Sequence, residues 1–328
     1  MLKSVRLYWQ IFAKRYLNDD RAEQYPLVRR MLARFRSVFT KGYFDQRYAI
    51  IWEGESQRRF GIYSYGSCDL PSIFAAIPPI RTELDGRCCL IRKGVVADSR
   101  SDLLLQTTKP LPSNAVALMR ERLGFASEYF EPELFKPSFQ VPGPRRREEF
   151  PKSAVILSIG ADVTRSLYRH KDSGLLVDPG GWWLRVPMKR VLSSLDTAKW
   201  VQQNFEPTGM LTVEQFTDAF SNVAQQVIAM TGGQLLVLNV LTVEPGSASH
   251  NYQFVKDPRG LRRREFNIAL AELSAKLNFS IVDVDRILKR TGFVQVQVDF
   301  DHYPPEVYQP IGQEIFRVLQ EREVFAAR

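Results

Sequence analysis

Residues 154–159, Ala-Val-Ile-Leu-Ser-Ile, constrain this chain more than any other stretch. The run is apolar at nearly every position and is bracketed by Pro151 and Gly160, so it lacks the alternation of a strand with one face in water. It suits a strand buried on both faces, as an inner strand of a parallel sheet is. A second run of this kind, residues 235–241, follows two helical stretches at about 188–204 and 212–230. After it come a helix over 261–277, with Phe266, Ile268, Leu270, Leu273 and Leu277 among its apolar positions, a strand over 280–284 and a closing helix over 305–319. Strands alternating with helices predict right-handed βαβ units and an α/β fold: three layers, α/β/α, around a mainly parallel sheet.

The earlier part of the chain is consistent with this. Short strand-like runs at 48–52 and 60–65 flank the polar turn EGESQRR. Leu70, Ile73, Phe74 and Ile77 then share one helical face that Pro78-Pro79 terminates, a third strand fits 88–96, and a helix starts at Pro112 with Gly124 near its end. Residues 125–150 carry four prolines and the triplet Arg145-Arg146-Arg147 without a sustained period, which reads as an extended surface connection. Gly232-Gly233, ahead of the second apolar run, reads as a helix C-cap.

The 328 residues allow two domains at most, or one large α/β unit. The division expected is a basic helical extension over 1–45 and an α/β domain over 46–328. Charge supports it, because residues 1–60 hold 13 basic and 6 acidic side chains and so carry most of the net +9 of the chain. Leu2, Val5, Tyr8, Trp9, Phe12, Ala13 and Tyr16 recur at helical spacing, as do Leu27, Met31, Phe35 and Phe39, with basic residues on the other faces. Docking on the domain behind is the commoner use of such stripes, and an anionic membrane surface is the other partner residues 1–40 suit. No specific nucleic acid is expected. Lys3, Arg6, Lys14 and Arg15 break up the first 17 residues, and no window of about 18 residues is apolar enough to span a bilayer. Three cysteines, two of them adjacent, make neither a disulfide framework nor a C-x-x-C spacing, so a reducing, cytoplasmic location is expected. Three histidines without a His/Cys cluster leave little for a metal site, and no cofactor is expected.

In open α/β sheets ligands gather at the carboxyl ends of the strands, which directs attention to three places. Ser67 follows Gly66 at the end of a strand and the start of a helix; by itself it is equally a helix cap. Asp299-Phe300-Asp301-His302 stands just before the closing helix, where an aspartate three residues ahead of a histidine can accept the Nδ1 proton and leave Nε2 as a base. Gly160-Ala161-Asp162 follows the buried strand, with Thr164 and Arg165 behind it. His170 and His250 read as solvated loop histidines. Arg259, Arg262, Arg263 and Arg264 read as the solvated face of a helix more readily than as an anion site. Pro179-Gly180-Gly181-Trp182-Trp183 is equally a ligand platform and an anchored turn.

In this order, Gly-Ser-Cys after an early strand, a polar block after a central strand and Asp-x-x-His before the last helix, the chain resembles the SGNH (GDSL-like) hydrolase superfamily. More narrowly, it is similar to the bacterial branches whose nucleophile block reads Gly-Ser-Cys instead of Gly-Asp-Ser. The resemblance spans about residues 60–320. It implies Ser67 as the nucleophile, His302 as the base and Asp299 as the acid that orients it, with Gly94 as the glycine of the second block. The third block departs from the pattern, with Asp162 after Gly160 where such a hydrolase offers an asparagine donor. A carboxylate beside a developing oxyanion would oppose its charge, so either Asp162 faces elsewhere or the oxyanion hole differs, with Arg92 and Arg165 as replacement donors. The activity implied is that of a serine esterase or O-acyltransferase acting on a carbohydrate or small ester. The alternative is a catalytically silent binding protein of the same fold, tethered to an anionic partner by its amino-terminal helices.

Overall fold

The computed structural model describes residues 47–52, 59–66, 70, 73, 88–92, 100–123, 125, 127–142, 147–178, 195–242, 259–291 and 305–325, all within one unit, Phe44–Arg328. The expected extension over 1–45 and the Pro179–Trp183 stretch lie outside the described residues. Three strands come first, β1 (Arg47–Trp52), β2 (Arg59–Tyr65) and β3 (Cys88–Arg92). Helices α1 (Ser101–Gln106), α2 (Ser113–Leu123) and α3 (Ser127–Phe130) follow, then a 3-10 turn Glu133–Phe135 and strands β4 (Ser138–Pro142) and β5 (Arg147–Ser158). Next are α4 (Gly160–Thr164), β6 (Leu167–His170), β7 (Leu176–Val177), α5 (Leu195–Asn204), β8 (Phe205–Gly209) and α6 (Val213–Thr231). The described chain closes with β9 (Gln234–Leu238), α7 (Arg259–Leu277), β10 (Ser280–Val282), α8 (Val284–Arg290) and α9 (Pro305–Glu321).

The apolar run sits where its composition requires. β5 pairs in parallel with β2 on one side and β9 on the other, with Ile156 opposite both Ser64 and Leu236 and fully buried. β10 extends the parallel set beyond β9, while β1 and β3 are added antiparallel beyond β2, giving the order β10-β9-β5-β2-β1-β3. Successive side chains of a strand point to opposite faces. Val155 and Leu157 accordingly enter one core with Phe216, Phe220 and Val223 of α6 and Phe266 and Leu270 of α7. Ala154 and Ile156 enter the other, with Leu70, Ile73 and Ile311, Ile315 and Leu319 of α9. Helices thus cover both faces of the sheet, and the expected three layers are present.

Contacts at its carboxyl end set the direction of α9. Beyond its carboxyl end Arg322 donates from Nε to Ser280 Oγ at the first residue of β10 (2.8 Å), and Phe325 packs edge-on against Phe60 near the start of β2, with centroids 5.3 Å apart. The helix therefore runs antiparallel to the parallel strands. Its 17 residues span about 25 Å, more than the roughly 17 Å of a five-residue strand, so Pro305 reaches the carboxyl edge of the sheet.

Several expectations need correction. The described part of residues 125–150 is no surface connection: Phe125, Tyr129, Phe130, Leu134, Phe135, Phe139 and Phe150 are buried, and β4 pairs antiparallel with the first half of β5. Pro132 and Pro137 flank the 3-10 turn and Pro142 ends β4 instead of breaking up the segment, and the aromatics supply its core. Lys152 holds it down, its ammonium donating to the carbonyls of Glu133, Leu134 (2.9 Å) and Lys136 (2.7 Å) while lying 4.3 Å from the centroid of the Tyr63 ring. A second sheet, β7-β6-β8, is too short and too interrupted by charge to show as an alternating pattern. The strand expected over 280–284 ends at Val282, because Asp283 caps α8 by accepting Arg286 N–H at 3.1 Å. The run at 235–241 likewise leaves the ladder at Leu238. His170 is buried, with Nδ1 2.8 Å from Ser173 Oγ and its ring against Phe205, instead of solvated. Nor are the arginines of α7 a uniformly solvated face: Arg263 is buried and donates to Leu241 O, and Arg262 reaches three carbonyls and lies over the Phe266 ring. Gly232 ends α6 in the left-handed conformation (φ 62°), the C-cap expected.

Candidate active site

The carboxyl ends of β2, β5, β9 and β10 share one edge because these strands are mutually parallel. At this edge β2 ends in Gly66, with φ 154° and a backbone so close to β5 that a Cβ would stand 2.9 Å from Ser158 Cβ and 3.0 Å from Ser158 N. Only glycine fits without displacing the neighbouring strand. Ser158 Oγ accepts the Gly160 N–H at 3.3 Å, which fixes the start of α4 beside Gly66. Farther along the edge Asn239 donates to Asp283 Oδ1 (2.8 Å) and Asp285 accepts from Thr242 and Lys289, joining the ends of β9 and β10.

Ser67, Gly94, Asp299 and His302 lie outside the described residues. Arg92 closes β3, its backbone paired with Tyr48. Gly160 and Asp162 share the first turn of α4. Arg165, just beyond it, brings Nε to 4.0 Å from the buried Asp178 carboxylate.

Asp162 is 2 % exposed and turned toward α1, its Oδ1 accepting Ser101 N–H at 2.7 Å. Arg100, also 2 % exposed, forks onto Asp102 and donates from Nη1 to the carbonyls of Arg165 (3.1 Å) and Gly209 (2.6 Å). From α7, Arg262 donates to Val163 O (2.8 Å), Asp162 O (3.4 Å) and Leu211 O (2.7 Å). Two guanidinium groups from distant helices thus satisfy the last carbonyls of a five-residue helix, which its own backbone cannot do. Reading the sequence missed Arg100 and Ser101 and gave Arg262 to a solvated helix face. The only local signal was the Ser-Asp pair opening a leucine run, a helix start.

Burial pushes the Asp162 carboxyl up to about 7, against the Ser101 hydrogen bonds, which favour the charged form. A carboxyl group whose folded value exceeds its unfolded one binds extra protons when folded, so its stabilising contribution is complete below the unfolded value near 4 and is lost as pH rises through 7. Wild-type stability therefore falls by about 2 kcal/mol between pH 5 and 7 relative to Asp162→Asn, which keeps an acceptor for Ser101 and has no charge to bury. Urea unfolding of both proteins at several pH values measures this, and parallel curves would refute it.

Among the described residues no group of three or more metal-ligating side chains occurs, and no helix is long and apolar enough to cross a membrane. No family model and no curated protein matches the chain. It is similar to several solved structures. An acetylxylan esterase from Geobacillus stearothermophilus is 10% identical over 76% of this chain and 79% of that one, with TM-score 0.38. A lipolytic protein of the G-D-S-L family from Veillonella parvula is 11% identical over 51% of this chain, TM-score 0.30, and the match spans 63% of that protein's length. A phospholipase A1 from Streptomyces albidoflavus is 15% identical over 49% and 68% of the two chains, TM-score 0.28.

Proposed function

We propose that this chain is a serine-dependent ester hydrolase of the SGNH kind, with Ser67 as nucleophile, His302 as general base and Asp299 as the group that orients the histidine. The observation that supports this reading is chain direction. β2 runs to the carboxyl edge and ends at Gly66, with Ser67 the next residue, while α9 begins at that same edge at Pro305, three residues after His302.

In the reaction the imidazole takes the Ser67 proton as Oγ attacks the ester carbonyl, and the tetrahedral oxyanion collapses to an acyl-serine with the alcohol leaving on the proton returned by histidine. Water attacking the acyl-enzyme completes hydrolysis; a second hydroxyl in its place makes the enzyme an O-acyltransferase. A carbohydrate or small ester as substrate rests on the sequence resemblance. Gly94 is the donor the resemblance offers beside the Ser67 N–H, and Gly160 borders the same edge. The reading is tested by incubating the protein with a fluorophosphonate and mapping the adduct by mass spectrometry. Stoichiometric modification of Ser67 is expected; a chain left unmodified at Ser67 is a silent binding protein of the same fold.

A further inference from the structure

The carboxyl edge carries a second polar assembly besides the one proposed for catalysis, at the junction of α1 and α4. β3 is antiparallel to β1 and β1 to β2, so β3 runs with β2 and its last residue, Arg92, lies at the same edge as Gly66. The described chain resumes at Arg100, anchored on α4 just beyond the end of β5. β1 and β2 lie between these points in the sheet. Three strand spacings are about 14 Å, and seven intervening residues can extend over about 25 Å. The attachment of Arg100 and Ser101 to α4 therefore fixes where the chain that leaves β3 arrives.

We propose that Asp162 is a positioning residue of this edge: its carboxyl group holds Ser101, and with it the start of α1, against the end of β5. The catalytic consequence rests on the serine-hydrolase reading; the fastening itself does not. The geometry supporting it is the 2.7 Å contact from Ser101 N–H to Asp162 Oδ1, buried on both sides. Its surroundings hold it in place. Arg100 attracts the carboxylate and Asp102 repels it from α1, Arg262 from α7 is committed to carbonyls, and Arg165 is turned to Asp178. This also accounts for a carboxyl group where the resemblance expects an amide donor, since Asp162 is turned toward a backbone N–H and away from an oxyanion role.

The fastening has a proton dependence that a passive contact would lack. Because burial raises the carboxyl to about 7, its ionised form gains by opening to water, and the Ser101 contact loosens as pH rises through that value.

Hydrogen exchange at the Ser101 amide, corrected for the intrinsic pH dependence of exchange, tests it. In the wild type, protection is expected to fall about tenfold from pH 6 to 8.5. In Asp162→Asn it stays constant, and in Asp162→Ala it is low at both pH values. Asp162→Ala should also lower kcat at least about tenfold with KM changed less than about threefold, and Asp162→Asn should restore kcat. Wild-type protection that does not change with pH overturns the proposal, as does wild-type protection or kcat in Asp162→Ala; if that variant does not fold, the Asp162→Asn comparison decides alone. Should Ser67 resist the fluorophosphonate while the exchange pattern holds, the hydrolase reading fails and the fastening stands.

Discussion

Ser67→Ala is expected to lower the turnover of an activated acetyl ester by about three orders of magnitude or more, with KM little changed. The magnitude follows from what the hydroxyl does. On the proposed mechanism no acyl-enzyme forms without Oγ, and what remains is the acceleration from binding and oxyanion donors alone. His302→Ala should cost a comparable factor, since an unassisted serine hydroxyl is a weak nucleophile at neutral pH. Residues acting as one unit are strongly non-additive, so the double variant should be little worse than either single one. Initial rates of the three variants against wild type test this. Ser67→Ala turning over as fast as wild type would end the serine mechanism, and a double variant losing the product of the two factors would show that the two residues act independently.

The largest effect on stability is expected at Lys152. The residue is 3 % exposed, and its ammonium donates to three carbonyls of the 3-10 turn and the residue after it while lying over the ring of Tyr63. Lys152→Met keeps the apolar stem and deletes the donors, leaving three carbonyls of a largely buried turn without the cation that gathers them. Hydrogen bonds to charged groups contribute about 1.5–3 kcal/mol each, partly offset here by the desolvation of the ammonium that is no longer required. A net loss of about 3 kcal/mol is expected, seen as a lower urea midpoint at unchanged slope. A midpoint at the wild-type value would mean that the aromatic packing of Phe135, Phe139 and Phe150 holds the segment without help from the cation.

The sequence revealed those parts of the fold whose signals are local. Residues 154–159 announce a doubly buried strand because all but Ser158 are apolar, and α6 is legible at both ends, from Thr212 and its capping partner Gln215 to Gly232. β6, β7 and β8 are two to five residues long and contain Arg169, Glu206 and Pro207, so no period survives in them. Arg100 and Arg263 are buried although arginine is rarely fully buried, because carbonyls from segments far away in sequence receive their protons. Nothing along the chain announces that. Of the candidate site, the order of the blocks and their attachment to strand ends and to the last helix could be read directly. The orientation of Asp162 could not, since it depends on Ser101, some sixty residues earlier.

α9 has one more consequence, for timing. On the serine-hydrolase reading, β2 and α9 bring the two halves of the site to one edge from parts of the chain some 240 residues apart. Contacts between such remote parts carry a large closure entropy and form late. On that reading a folding chain would carry a largely formed sheet before it had a competent reaction centre, and reactivity would arrive with the docking of a single helix.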